Sequence, residues 1–397
     1  SEKGFERVGE DNGSRGEATF SSMPYIEGAW MDKFEGRYYL QYAAPGTEFN
    51  TYCDGVYVGD HPLGPFVPAK NNPYSLHPGS FLPGAGHDST LRDAAENLWH
   101  TSTMRISVNH MFERRVGLWP AGVDADGELF CNQRYGDWPR RMTGNAFDPW
   151  AKPEWMILSY GKSVTVSSEE TDHPAGYAVD EDVRTCWRAA KEDDAPQLVL
   201  DLGDAYDVHG IQVNFADVDI ELPEELQTIP EGKERCIIEA QQVTRFLLEA
   251  SCDGSNYEIL WDRRNADTDF CHDFLPIEAG KTIRYLRLSE ITLPFGQQAN
   301  VSGLRVFGLG KGQLPQQATA TVTAAGEMDF DVAMSSGDAV GYNVLWGYAP
   351  DKLYHSYLTY EGHCHIGALI KHASTYVRVD CFNENGITEG EILKIDL

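Results

Sequence analysis

The sequence predicts an all-β chain. Three observations predict it. Aromatic residues make up 11% of the 397 positions, with nine Trp and nineteen Tyr, and flat rings favour pleated surfaces. Short β-branched and aromatic runs recur between Gly, Asp and Pro turns. No amphipathic helix of useful length interrupts the first 155 or so residues. Hydrophobic residues at 42% and charged residues at 23% are ordinary for a globular chain. The length allows two to four domains.

Composition excludes several function classes. The formal net charge is −29. Phosphate binding needs clustered Lys and Arg, so no nucleic acid is expected. An anionic membrane surface would also repel the chain. A neutral glycan meets no such penalty, and aromatic rings stack on sugar faces. No run of about 20 apolar residues is present, so no membrane span is expected. Ser1-Glu2-Lys3-Gly4 shows no signal peptide and no initiator Met, so a processed or trimmed chain is expected, with any export signal upstream. An extracellular or periplasmic location follows from that expectation. Eight Cys are scattered without a Cys-x-x-Cys pair, which argues against a zinc site of that type and leaves disulfides and buried thiols both open. His363-Cys364-His365 would set two His on one face of a strand, with no third or fourth ligand visible.

Residues 1–155 read as strands and turns. Gly36-Arg37 turns between Met31–Phe34 and Tyr38–Tyr42. Gly55–Gly59 is a short strand, and His61–Phe66 is a loop fixed by two Pro and a Gly. Asn97–Thr101 and Arg114–Trp119 are further strands, and Asp124–Phe130 turns into another. Such a rhythm belongs to a sandwich, barrel or propeller. Within it, Glu27 stands in Ile26-Glu27-Gly28-Ala29-Trp30 before the aromatic strand Arg37–Tyr42, and Gly84-Ala85-Gly86-His87-Asp88-Ser89 follows sixty residues on.

These motifs resemble the second half of a glycoside hydrolase family 43 propeller. There Glu-Gly-Pro-Trp carries the general acid, and a Gly-His turn puts a His on the propeller axis. Ala29 replaces the usual Pro. The resemblance implies catalysis by Glu27, with His87 shaping the axial end of the pocket or ligating an axial ion. Apolar neighbours favour the protonated form of a carboxyl, which suits an acid; the plain alternative is a Glu capping a turn. Trp30, Arg134 and Trp138 are candidates for substrate contacts, Arg134 by orienting a hydroxyl or holding Glu27, Trp138 as a stacking wall. An inverting glycosidase also needs a carboxylate roughly 6.5–9.5 Å away to activate water. In the family that base comes from blades preceding the acid. A five-bladed propeller needs roughly 300 residues, and only Phe5 to Tyr25 precede this site. The missing half is expected as a separate chain or a removed segment, or the chain is an inactive relative that keeps the shell for binding glycans.

Residues 156–312 resemble a discoidin (coagulation factor type C) domain, an eight-stranded jelly roll common among carbohydrate-binding modules. The pieces are Gly161–Ser168, Ala178–Trp187, Pro196–Gly203, Phe246–Tyr257, Arg284–Leu288 and Val301–Gly308. Glu181 replaces the Gly of an Asp-Gly turn, and Gly303 replaces the late Glu of that family's calcium site. Asp180, Asp182 and Thr185 still offer oxygen atoms that suit a structural calcium. An acidic, Pro-containing insertion lies between Asp219 and Arg245, as a surface for packing on the propeller; the module as a whole reads as glycan binder or structural spacer.

Residues 313–397 begin with the alternating run Ala318–Val322. Tyr342–Tyr348 and Thr375–Phe382, with the Asn383-Glu384-Asn385-Gly386 turn, resemble a fibronectin type III sandwich. The reading is therefore a partial β-propeller, a discoidin jelly roll and a fibronectin type III module. It implies hydrolysis of terminal arabinofuranosides, xylosides or galactosides of plant polysaccharides, with inversion and no required cofactor.

Overall fold

Glu35 and Gly36 both take left-handed backbone angles, with φ of 47° and 88°. A two-residue turn of that kind matches the twist of its flanking strands. It joins β1 (Glu27–Phe34) to β2 (Arg37–Ala44), with Phe34 opposite Arg37. Strand β3 (Cys53–Gly59) and the short β4 (Val67–Pro68) complete an antiparallel meander, and β5 (Ser75–Leu76) pairs with β3. A second meander follows: β6 (Gly86–Arg92), β7 (Leu98–Arg105), β8 (Arg114–Val123) and β9 (Leu129–Cys131). Alternate residues of β2 are buried, including Tyr39, Gln41 and Ala43. Tyr39 packs with Val56, Tyr74, Ala85, Trp119 and Leu129 in a core shared by both sheets. The structure, a computed structural model, describes residues 26–44, 46, 51–105, 114–216, 218, 220, 241–367, 369 and 373–397. Phe5 to Tyr25, and most of the insertion between Asp219 and Arg245, lie outside the described residues.

The chain divides into two compact units, one of residues 157–311 and one of residues 1–156 with 312–397. The strands that follow the meanders are β10 (Met156–Ile157), β11 (Ser163–Val166), β12 (Trp187–Arg188), β13 (Leu198–Asn214), β14 (Arg245–Ser251), β15 (Glu258–Asp262), β16 (His272–Thr292), β17 (Asn300–Val301) and β18 (Gly303–Leu309). In the middle unit the order is β18-β13-β16-β14-β15, with β11 beside β13. Register shifts between Asp201 and Tyr206, and between Val208 and Gly210, interrupt the β13–β16 pairing. Such bulges bend a long strand, and β13 and β16 wrap a core of Trp187, Leu200, Ile211, Phe246, Leu286 and Val306. An ion pair lies inside it: Glu181 takes both Arg305 Nε and Nη2, at 2.8 and 2.7 Å. Glu181 keeps the left-handed angle (φ 60°) that a Gly would adopt more easily.

The last strands are β19 (Thr319–Ala324), β20 (Phe330–Ser335), β21 (Gly341–Gly347), β22 (His355–Thr359), β23 (His363–Ile366), β24 (Ser374–Asn383), β25 (Gly386–Thr388) and β26 (Ile392–Asp396). They make two sheets, β19-β20-β23 and β22-β21-β24-β25 with β26 on β24. Their core of Phe330, Val332, Val344, Trp346, Val377 and Val379 takes in Cys53 and Leu76 from the first meander. His355 Nε2 reaches the carbonyls of Asn71 and Pro73 at 2.9 and 2.7 Å. All described elements are strands or short 3-10 turns, so the chain is all-β. Among the described residues no helix is long and apolar enough to cross a membrane.

Lys352 pins this last stretch to the second meander. Its Nζ lies 2.5 Å from Asp124 Oδ2 and 2.6 Å from Asp126 Oδ2, and the Tyr354 hydroxyl donates to Asp124 at 2.7 Å. Burial alone would raise the Asp124 carboxyl; Lys352, the Glu128 N–H and Tyr354 outweigh it and leave the group below its usual range. A depressed carboxyl stabilises the fold above its unfolded value, and that share is lost as pH falls through the folded one. Lys352→Met is expected to cost roughly 3 kcal/mol at neutral pH, the loss of a mostly buried pair. The deficit should shrink in acid as Asp124 protonates. Urea titrations at neutral and acidic pH would measure both, and an equal deficit at each pH would contradict the assignment.

Candidate active site

Glu27 opens β1 opposite Ala43, and the pairing slips between Glu27 and Trp30. The slip is made by Gly28, whose φ is +63°. It turns the Glu27 side chain out of the ladder, leaving it 37% exposed. The Tyr52 hydroxyl donates to Glu27 Oε1 at 3.4 Å. His87 Nδ1 stands 4.0 Å from the same oxygen, on a ring that is half exposed. The apolar enclosure expected for Glu27 is not what surrounds it: Ile26 and Trp30 are both well exposed, and the immediate neighbours are a phenol and an imidazole. Burial, then the Glu27 and Asp54 charges, push the Tyr52 phenol up, so it stays a donor.

The Gly-rich turn has a physical reason at two positions. A Cβ on Gly86 would lie 2.7 Å from the Tyr52 ring, so only glycine lets that ring reach Glu27. A Cβ on Gly28 would meet the His87 ring at 3.0 Å. His87 itself is left-handed, with φ of 65°, and its N–H donates to Asp54 Oδ1 at 2.8 Å. Gly28→Ala is therefore expected to cost about 1–2 kcal/mol for the left-handed backbone alone, and to displace His87. A denaturant midpoint and the His87 imidazole NMR shift read the two effects; an unmoved shift would separate Gly28 from His87.

The other residues that the sequence singles out are placed as follows. Trp30 is partly exposed and its Nε1 donates to Asp32 Oδ2 and Thr90 Oγ1, both at 3.2 Å. No contact joins Arg134 or Trp138 to Glu27 among the described residues; both line a cavity of about 410 Å³ with Arg140, Met142 and Phe147. Arg134 is half-buried, donates to the Leu353 carbonyl at 2.6 Å and lies over the Trp150 ring. Trp138 is buried between Tyr135 and Phe382, with ring centroids 4.8 and 5.2 Å away. Both also touch residues some two hundred positions downstream. In the middle unit, Thr185 Oγ1 donates to Asp180 Oδ2 at 2.6 Å, and Arg184 holds Asp182 through Nε and Nη2 at 2.7 Å. Burial raises Asp180 to about 7. His363 and His365 share a strand face, with His365 Nδ1 2.9 Å from Asp331. The seven described Cys are free thiols. Tyr52 and Asp54, which hold the Glu27–His87 pair, carry no sequence signal beyond strand alternation.

Residues 4–129 match the family model of glycosyl hydrolases family 43. That stretch is about a third of the chain, and over it the sequence is similar to family 43. No curated protein matches the sequence. Among solved structures, one described as a glycoside hydrolase is 18% identical at a TM-score of 0.37, over 76% of this chain and 66% of that one. An endo-1,4-beta-xylanase from Bacteroides thetaiotaomicron is 22% identical at a TM-score of 0.26, over 32% of this chain and 42% of that one. A chitosan-binding module of a Paenibacillus sp. chitosanase/glucanase is 18% identical at a TM-score of 0.29, over 38% of this chain and 99% of that one. The chain thus spans just under two thirds of the first of these structures and less than half of the second.

Proposed function

We propose that this chain carries the general-acid half of an inverting glycoside hydrolase that acts on terminal sugars. The carrying observation is Glu27: a carboxyl turned out of its strand by a glycine bulge, hydrogen-bonded by Tyr52 and flanked by His87. An acid that protonates a glycosidic oxygen must be reachable and oriented, and these contacts supply both. The base that activates water would come from propeller blades on another chain or on a segment outside this sequence. Arabinofuranosides, xylosides and galactosides of plant polysaccharides are the proposed substrates. The two meanders would be consecutive blades, residues 156–312 a discoidin-type glycan-binding module, and residues 313–397 a fibronectin type III-type brace. A structural calcium at Asp180, Asp182 and Thr185 belongs to the same proposal, as does an extracellular or periplasmic location. Acid–base hydrolysis itself asks for no cofactor.

Native mass spectrometry of material from the source organism, followed by assay on aryl glycosides, tests the reading. A co-purifying polypeptide and turnover that Glu27→Gln removes are expected. A lone chain without turnover, yet retained on glycan columns, would replace hydrolysis with glycan binding.

A further inference from the structure

Asp54 on β3, Asp88 on β6 and His100 on β7 meet inside the two meanders, with one donor atom of each within 4.8 Å of the others. All three side chains are buried. Each is held by one atom and offers another. Asp54 Oδ1 accepts the His87 N–H at 2.8 Å, while Oδ2 has no hydrogen-bond partner. Asp88 Oδ2 accepts from Tyr74 Oη at 2.7 Å, while Oδ1 has none. His100 Nδ1 lies 2.7 Å from Tyr74 Oη, while Nε2 has none and stands 3.4 Å from Asp54 Oδ2.

Counting protons shows what is lacking. The one hydroxyl proton of Tyr74 faces Gln41 Oε1, Asp88 Oδ2 and His100 Nδ1. If it goes to Asp88, Nδ1 must carry its own proton and donate to the phenol. Nε2 then presents a bare lone pair to the lone pairs of Asp54. Trp119 stacks on the imidazole at 5.8 Å and closes one side. Among the described residues neither carboxylate has a Lys or Arg in ion-pair range; each pairs with His100 alone. Asp32, Tyr52, Cys53, Tyr74 and Cys131 also lie near the pair, and none of these is cationic; His87, next to Asp88, meets Asp54 through its backbone N–H. Two uncompensated buried carboxylates cost several kcal/mol each. A cation shared by the three side chains removes that cost.

We propose that Asp54 Oδ2, His100 Nε2 and a carboxylate oxygen of Asp88 bind a divalent transition-metal ion of zinc type. One imidazole nitrogen and two carboxylate oxygens form a zinc-like donor set, whereas calcium takes six to eight oxygens. Two ligands about 2.0–2.1 Å from a tetrahedral ion stand near the 3.4 Å that separates Nε2 from Oδ2. The bonds from His87 N–H and Tyr74 Oη orient the ligands from behind, as outer partners do around metals. The ion would clamp β3 to β6 and β7, and so brace Asp54 beneath the strained His87.

The test uses the whole chain, purified without chelator. Bound metal is measured by inductively coupled plasma mass spectrometry, and thermal unfolding is followed with EDTA and with added Zn²⁺. About one zinc per chain is expected, with a melting temperature that falls on chelation and recovers on zinc addition. Asp54→Asn keeps an oxygen for the His87 N–H and is expected to lose the metal. Metal below about 0.1 per chain with melting indifferent to zinc would overturn the proposal, leaving protons in the cluster. Equal metal in wild type and Asp54→Asn would also overturn it. Should that variant not fold, X-ray absorption of the wild-type metal decides: a single imidazole with oxygen ligands supports the site, and sulfur or several imidazoles overturn it.

Discussion

Glu27→Gln is expected to lower kcat/KM on an unactivated glycoside by about 10²–10⁴, the range a positioned general acid supplies. The amide keeps the size of Glu27 and can still meet the Tyr52 hydroxyl, which approaches Oε1 at 3.4 Å, so folding should be spared. What it loses is the proton for the leaving oxygen. The loss should therefore shrink on aryl glycosides whose leaving groups depart without protonation. Steady-state kinetics on the two substrate classes, with the partner half present, measure the contrast. An equal loss on both would assign Glu27 to binding rather than to proton transfer.

Glu181→Gly is expected to give the largest loss of stability in the middle unit. The Glu181 and Arg305 side chains are only 2% and 1% exposed, and removing one partner of such a pair costs about 3–5 kcal/mol. Arg305 would keep Gln212 Oε1 at 2.9 Å, but an amide oxygen does not neutralise a guanidinium. The change also relaxes a left-handed backbone (φ 60°), which returns part of the cost. Pairing it with Arg305→Met should recover part of the stability, because no unpaired charge then stays buried. Denaturant midpoints of the single and double variants test this. A single variant within about 1 kcal/mol of wild type would contradict the burial argument.

The hairpin at Glu35-Gly36 and the glycine turn before His87 were legible because local backbone chemistry dictates them. The Glu27–His87 pairing was legible only through motif order, since β1 and β6 lie in different sheets. The surroundings of Arg134 and Trp138 were not legible, because an Arg and a Trp beside an Asp look the same whether they line a cleft or fill a core. What decides is Phe382 and the Leu353 carbonyl, more than two hundred residues away. Asp54, Asp88 and His100 were illegible for a related reason. Strand alternation says which side chains point inward, but not that three polar ones from three strands converge on one point.

The division of the chain has a consequence for its biosynthesis. Residues 1–156 and 312–397 share one compact unit, and residues 157–311 interrupt them. On the ribosome, the intervening stretch takes roughly 8–30 s to synthesise. Throughout that interval Cys53 and Leu76 lack Phe330, Val344 and Val377, with which they share a core, and Trp138 lacks Phe382. The middle unit can complete its own fold in the meantime, since its core draws only on its own residues. The nascent chain thus emerges with its second unit finished before its first, and the apolar flank of the first is bare for chaperones to cover until the final strands arrive.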